Sequence, residues 1–406
     1  MEERYELLLK GGRVIDPTNE FDEISDIAIN AGKVAEVKKN ITASADKIVD
    51  LSGYIVTPGL IDCHCHIYPT FPKQEDKLYA INADAHMLQA GVVTAIDAGT
   101  CGWRDFFHFK EQVIDCSEVR VLAMLNIAAG GMVKMESEQK LTEFNKGVVA
   151  EIAKAYSDIV VAVKTAHYWT MKPFDNEHPA WASVDASLEA AEMCGKPLMV
   201  DFFPYKEERR YQDLLKRLRK GDIHTHMYAQ QFPVLDENLR VNDFLFEARE
   251  RGVLFDLGHG AGSFWFRNAV PAYQNGFGPD TLSSDLYMEN IHGAALNLLN
   301  IMSKYLCIGM PLYETIARAT MYPAKMFHHP ELGNLSKGSC ADVAVLKLHE
   351  GQYSYADCGN ARLDGDKKLA CAMTIRNGKI VFDPQGLSMP LWEDAPSAYW
   401  TSPGRL

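Results

Sequence analysis

The chain has 406 residues, 47% of them hydrophobic and 23% charged, which is the balance of a globular protein able to bury a sizeable core. A formal net charge of −13 argues against nucleic acid or an anionic membrane as partner, and no apolar stretch reaches the roughly 18 residues of a membrane-spanning helix. Nine cysteines without framework spacing fit free thiols, and "MEERYELLLKGGRVIDP" lacks the unbroken apolar run of a signal peptide, so a cytoplasmic protein is expected.

Residues 1–57 read as short strands and turns: "YELLLKGGRVID", "DIAINAGKVAEV" and "KIVDLSGYIVTPG". From 58 to 334 the texture alternates. Eight apolar runs, "LIDCHCH", "VVTAIDAG", "VRVLAMLNIA", "DIVVAVKTA", "KPLMVDFF", "GDIHTHMY", "VLFDLGHG" and "DTLSSDLY", are separated by mixed or helix-like segments. One of these, "WASVDASLEAAEMCG", ends on the glycine that stops a helix, and "KEERRYQDLLKRLRKGD" reads as a solvated helix face. Eight strand–helix units in sequence predict a (β/α)8 barrel of the TIM type rather than an open doubly wound sheet. Residues 335–385 return to strands, with an Asn-Gly turn in "AMTIRNGKIVF", so both ends together are expected to form one small β-sandwich domain. Residues 386–406 read as a C-terminal tail.

In a barrel, chemistry is carried at the C-terminal ends of the strands. There the runs hold His64 and His66, Lys164, Asp201, His224 and His226, His259 and Asp285, ionisable groups closing apolar strands. Alternation along a strand puts His64 and His66 on one face and Cys63 and Cys65 on the other. The two histidines then suit a shared cation inside the barrel, and the cysteines pack as small hydrophobes against the helices. Asp62 faces inward one layer deeper, either orienting a ligand or simply satisfied as a buried carboxylate. Lys164 has three readings: a buried ion pair, an outward-pointing side chain, or an amine carbamylated by CO2 into a metal-bridging carboxylate.

"PGLIDCHCH", Lys164, "THMY", "DLGHGAGSF" and "SSDL" together resemble the amidohydrolase superfamily, nearest to its dihydroorotase- and deacetylase-like metallohydrolases, over nearly the whole chain. The resemblance implies a composite β-sandwich beside the barrel. It implies one or two divalent metals, zinc first, with His64, His66 and Asp285 on one and a carboxylated Lys164 bridging to a second held by strands five and six. His226 matches the strand-six ligand. Strand five departs from the pattern, with Asp201 where a histidine belongs. Asp201 is then a carboxylate ligand, the cause of a lost second site, or the partner of an unmodified Lys164. His224, two residues before His226 and so on the same face, is expected to be structural, with a substitute ligand as its other reading.

The implied reaction is hydrolysis of an amide or ester of a small acylated or cyclic-amide substrate. Asp285 would act as general base and then acid, and His259 would hydrogen-bond the substrate or oxyanion. Loop position adds Tyr168, Trp169, Tyr228 and Gln230 as pocket residues. Two rival functions remain: a mononuclear deaminase of a nucleobase-like compound, against which Lys164 speaks mildly, and a non-catalytic relative, which should have lost the HxH pair or Asp285. A homo-oligomer is expected from size.

Overall fold

The structure, a computed structural model, describes residues 4–69 and 79–396. Five strands open the chain: β1 (Arg4–Asp16), β2 (Phe21–Asn30), β3 (Lys33–Lys38), β4 (Ser44–Asp50) and β5 (Ile55–Pro58). Seven more follow through the middle: β6 (Leu60–Cys65), β7 (Val92–Gly102), β8 (Arg120–Asn126), β9 (Val160–Thr165), β10 (Leu198–Val200), β11 (Ile223–His224) and β12 (Leu254–Phe255). Three close it: β13 (Val343–Ala356), β14 (Arg362–Arg376) and β15 (Lys379–Phe382).

The strands of both ends form one sheet in the order β15-β14-β13-β5-β1-β2-β3, with β4 paired to β1. The two halves of β1 have different neighbours. Arg4–Lys10 pairs with β4 and Arg13–Val14 with β5, and the register slips at Gly11-Gly12 between them. Leu9, Val14, Ile27, Val49, Val56, Val345 and Ile375, drawn from the whole width of the sheet, share one core. The strands of both ends thus form a separate sheet domain, one hydrogen-bonded sheet with a core of its own. Of the expected tail, 386–396 carries one short 3-10 turn, Trp392–Asp394, and 397–406 lies outside the described residues.

The middle strands β6 to β12 lie side by side in sequence order as a seven-stranded parallel sheet. Nearly every residue in them is buried, as parallel strands covered on both faces require. The intervening helices include Lys146–Ala155, Ala182–Cys194, Tyr211–Arg217, Asp243–Glu250, Phe266–Gln274 and Leu298–Ile308. Gly195 caps the second in the left-handed conformation. No helix of the described residues is long and apolar enough to cross a membrane.

The eighth expected strand, "DTLSSDLY", is not a regular strand. It makes isolated parallel bridges on both sides, Asp256 to Thr281 and Cys65 to Leu286. Backbone bonds from Leu257 N–H to Thr281 O (3.1 Å) and from His66 N–H to Leu286 O (2.9 Å) hold it between the two edges of the sheet. The ladder is broken for a local reason: the Ser284 N–H goes to the Asp62 carboxylate (3.0 Å), and Asp285 turns to φ +49°.

Ile61, Cys63, Ile96, Met124, Met199 and Ile223 come from five different strands and meet in one cluster, which is possible only inside the curled sheet. Cys63 thus faces inward, against expectation, with Sγ 3.6 Å from Asp256 Oδ1. Strict alternation fails because the pairing of β6 with β7 is irregular between Asp62 and Cys65. Cys65 does pack with the helix-side residues, as expected.

Candidate active site

At the C-terminal mouth of the parallel sheet lies a cavity of about 270 Å³, lined among others by His64, His66, Lys164, Asp201, His226 and Asp285. His64, His66 and Asp285 offer ligand atoms all within 4.8 Å of one another. His66 Nε2 is 2.8 Å from Asp285 Oδ1, and His64 Nε2 is 3.5 Å from the same oxygen. Each imidazole is held by its other nitrogen. His64 Nδ1 meets Asp256 Oδ2 (3.1 Å) and Thr225 Oγ1 (2.9 Å), His66 Nδ1 meets Thr100 Oγ1 (2.7 Å), and His226 Nδ1 meets the Gly258 carbonyl (2.6 Å). With Nδ1–H donated to these acceptors, His64 and His66 turn their Nε2 lone pairs to the cavity, the form that ligates a metal, and His226 turns its Nε2 towards Asp201. Burial and the adjacent Lys164 ammonium hold His64 down to about 4, so it is neutral at pH 7. Burial pushes the Asp285 carboxyl up, but the His64, His66 and His226 imidazoles more than offset it and keep it ionised. A neutral-imidazole and carboxylate set of this kind fits a divalent cation such as zinc.

Lys164 is fully enclosed, its Nζ 3.4 Å from His64 Nε2 and 3.7 Å from Met199 Sδ. Burial lowers its pKa against the pull of Asp201 and Asp285. Gly99 makes room for it. A Cβ there would stand 2.5 Å from Lys164 Cγ, and the backbone at φ +81° favours glycine anyway. Asp201 pairs instead with His226, Oδ2 to Nε2 3.6 Å. Burial opposes ionisation of Asp201, yet the His226 and His167 imidazoles and Lys164 hold its carboxyl well below the usual range. His226 rises in turn to about 9, burial notwithstanding, through that carboxylate.

Two residues of the site sit in the left-handed region, His226 at φ +59° and Asp285 at φ +49°. Such strain persists only where the surroundings over-determine it. Next to Asp285, Gly260 has no alternative: a Cβ would lie 2.4 Å from Asp285 Oδ2.

The structure separates the remaining expected residues. His224 does not share the face of His226, because the left-handed turn at His226 breaks the alternation. Its ring packs against Tyr211, Phe232 and Phe255, both nitrogens are buried without a partner, and burial holds it down to about 3. His259 is enclosed away from the cavity and is corrected from a substrate contact to a structural group. Its Nδ1 faces the Gly260 carbonyl (3.0 Å), its Nε2 accepts from Lys304 Nζ (2.7 Å), and its ring stacks on Phe264. Trp169 lines the cavity. Tyr168 and Tyr228 do not: both are fully buried, with hydroxyls donated to the Pro179 and Phe277 carbonyls. Gln230 is exposed, and its neighbour Gln231 lines the cavity instead. Asp62 touches no candidate ligand side chain. It accepts from the Ser284 N–H and hydroxyl and so fixes the segment that carries Asp285.

Sequence reasoning missed Asp256, which holds His64 and accepts from Thr225, Thr281 and Ser283 hydroxyls at 2.7 Å each. The signal was present, a carboxylate inside the apolar run "VLFDLGHG". It also missed His167, which lines the cavity three residues beyond Lys164, its partner Glu138, and Lys304.

A curled parallel sheet with histidine and carboxylate side chains converging at its C-terminal mouth is the arrangement of a metal-dependent hydrolase scaffold. The comparisons with known proteins agree. A deacetylase of Enterococcus faecalis is 28% identical over 93% of this chain and 99% of its own. A dihydroorotase of Geobacter metallireducens is 52% identical over a shorter stretch, 20% of this chain and 19% of its own. Among solved structures, an adenine deaminase superposes with a TM-score of 0.84 at 27% identity, covering 93% of this chain and all of its own. No family model matches the chain. The chain belongs to the amidohydrolase superfamily and is a hydrolase of carbon–nitrogen bonds other than peptide bonds.

Proposed function

We propose that this protein removes an acyl group from, or opens a cyclic amide in, a small substrate, with an ester as the alternative bond, and that it does so in the cytoplasm as a homo-oligomer. The bridges on both flanks of 280–286 support reading the scaffold as a closed (β/α)8 barrel. The observation that carries the reaction is the convergence of His64, His66 and Asp285 on one point of the cavity. In this reading those three hold zinc, and Lys164 as a carbamate, Asp201 and His226 hold a second ion. A divalent cation bound there would supply Lewis acidity to the scissile carbonyl and to water. The residues do the rest. Asp285, whose Oδ1 lies 2.8 Å from His66 Nε2, takes the proton as water attacks and returns it to the departing nitrogen or oxygen. Trp169 and Phe203, stacked at 4.6 Å, wall the substrate away from solvent. Asp256 and the Gly258 carbonyl keep His64 and His226 in the ligating tautomer.

The test is elemental analysis of protein grown with zinc, an intact-mass measurement for one added CO2, and a screen of acyl amides, esters and cyclic amides. Two metals, the added mass and acyl hydrolysis support the reading; a protein that purifies without metal overturns it. The likeness to the adenine deaminase structure favours one second reading, a mononuclear deaminase. It would be recognised by one metal, no added mass and ammonia release from an aminopurine.

A further inference from the structure

Three residues past Lys164, on the same rim of the cavity, stands a pair with no part in the mechanism above. Glu138 is buried, its side chain 3% exposed, on a short 3-10 turn, Ser137–Gln139. Both of its oxygens are spoken for. Oε1 accepts from the Asn126 amide (2.9 Å), and Oε2 accepts from His167 Nδ1 (2.9 Å) and the His167 backbone N–H (3.3 Å). Since a carboxylate only accepts, the Nδ1 must be the donor. The ring is therefore fixed in orientation, and among the described residues its Nε2 has no hydrogen-bond partner. Burial disfavours the imidazolium, but Glu138 and, farther off, Asp201 favour it more strongly, so His167 is shifted towards the charged form. Beside it Trp169 lines the cavity with a buried indole N–H that has no protein acceptor.

An imidazole paired through Nδ1 with a buried carboxylate, which favours its charged form, and an orphaned indole N–H beside it on the cavity wall are complementary to an anion. We propose that His167, clamped by Glu138, binds a carboxylate of the substrate, so that this site takes acylated or cyclic-amide carboxylic acids rather than neutral amides. The inference rests on the hydrolase reading above and narrows its substrate class. A sphere of the cavity's 270 Å³ is about 8 Å across, so one small molecule can touch both His167 and the His64–His66–Asp285 cluster. A bare Lys or Arg could serve the same purpose from a flexible stem. A histidine locked by a buried carboxylate instead fixes the donor's direction, which is what selects by position as well as by charge.

The test uses the metal-loaded protein and two matched panels: N-acetyl amino acids with their methyl esters for turnover, and the non-hydrolysable ketone isosteres of the same acids, such as 4-oxopentanoate, with neutral alcohol counterparts for calorimetric binding. At least one acid isostere should bind the wild type tenfold or more above its neutral counterpart. In His167→Asn that ratio should fall towards one, and in Glu138→Gln part of the way. Both variants are checked for metal content and melting temperature, and Glu138→Gln stands in should His167→Asn fail to fold. The inference is overturned if no acid of the panel outbinds its neutral counterpart tenfold, or if the preference survives in the variants. A loss of kcat equal for acids and esters also overturns it, since that marks proton delivery to the leaving group instead. Turnover judges the underlying reading separately. Acid-selective binding without hydrolysis removes the hydrolase reading alone; hydrolysis without acid selectivity removes this inference alone.

Discussion

Replacing Asp256 by Asn should be more damaging to metal binding than its distance from the cavity suggests. The Asp256 carboxylate takes hydrogen bonds from His64, Thr225, Thr281 and Ser283, all at 3.1 Å or less. Those interactions hold it ionised below the usual carboxylate range in spite of burial. An amide of the same shape must present an N–H2 to part of this ring of donors. If it faces His64, the imidazole is driven to the opposite tautomer, with a proton on Nε2 where the ligating lone pair should be. Loss of such an outer partner typically costs about 10–100-fold in metal affinity, or about 1.4–2.8 kcal/mol. The hydroxyls that lose their acceptor add about 1–3 kcal/mol of instability to the metal-free protein. The assay is zinc competition against a chelator of known affinity, with urea unfolding of the apoprotein alongside. Asp256→Ala provides the contrast. It removes the carboxylate without offering a competing donor, and Thr225 Oγ1, 2.9 Å from His64 Nδ1, can still accept. The expected order of affinity is wild type, then Ala, then Asn. An Asn variant within about twofold of wild type in zinc affinity would refute the argument that Asp256 sets the tautomer.

Three other expectations can be checked with the same protein. Gly99→Ala should displace Lys164 and strain a left-handed backbone, destabilising by about 1–3 kcal/mol and lowering any CO2-dependent mass gain; native mass and melting temperature measure both. His66→Ala should lose metal and activity together while Cys65→Ser keeps both, read by metal content per chain. His224, held near 3 in the fold against about 6.5 in the unfolded chain, binds its proton only when unfolded across that window, so stability falls as the pH drops through it. His224→Phe should remove that dependence, and by the same linkage metal-free wild type should lose about 2 kcal/mol more than the variant between pH 7 and pH 5 in urea titrations.

The outline of this molecule was legible where residue type and position act alone. Apolar runs buried on both faces are conspicuous as parallel strands, and an ionisable group closing such a run has no packing reason to be there. His64, His66, Lys164, Asp201, His226 and Asp285 were found in this way, and all line one cavity. What failed depended on backbone irregularity. Alternation assigned Cys63 and His224 to the wrong faces because a slip in the β6–β7 pairing and a positive φ at His226 each shift the period by one. The eighth strand was misjudged because side-chain carboxylates captured the N–H and hydroxyl groups of its serines, a competition invisible in a hydrophobicity pattern. Tyr168 and Tyr228 looked like pocket residues by loop position but spend their hydroxyls on backbone carbonyls. Asp256, Glu138 and Lys304 escaped because each acts through another residue, and their partners lie far off in sequence.

The composite sheet has a consequence for biosynthesis. β5 lies between β1 and β13, and its residue Pro58 pairs with Val343. When the first five strands leave the ribosome, β5 has one neighbour and a bare edge. Its second neighbour is still roughly 280 residues from being made. At about 5–20 residues per second that wait is on the order of 15–60 s. Throughout it an apolar strand with unpaired N–H and C=O groups stands open to other chains. The parallel sheet is synthesised while its companion sheet is unfinished, and the strand that covers the exposed edge of β5 is made only after all seven parallel strands.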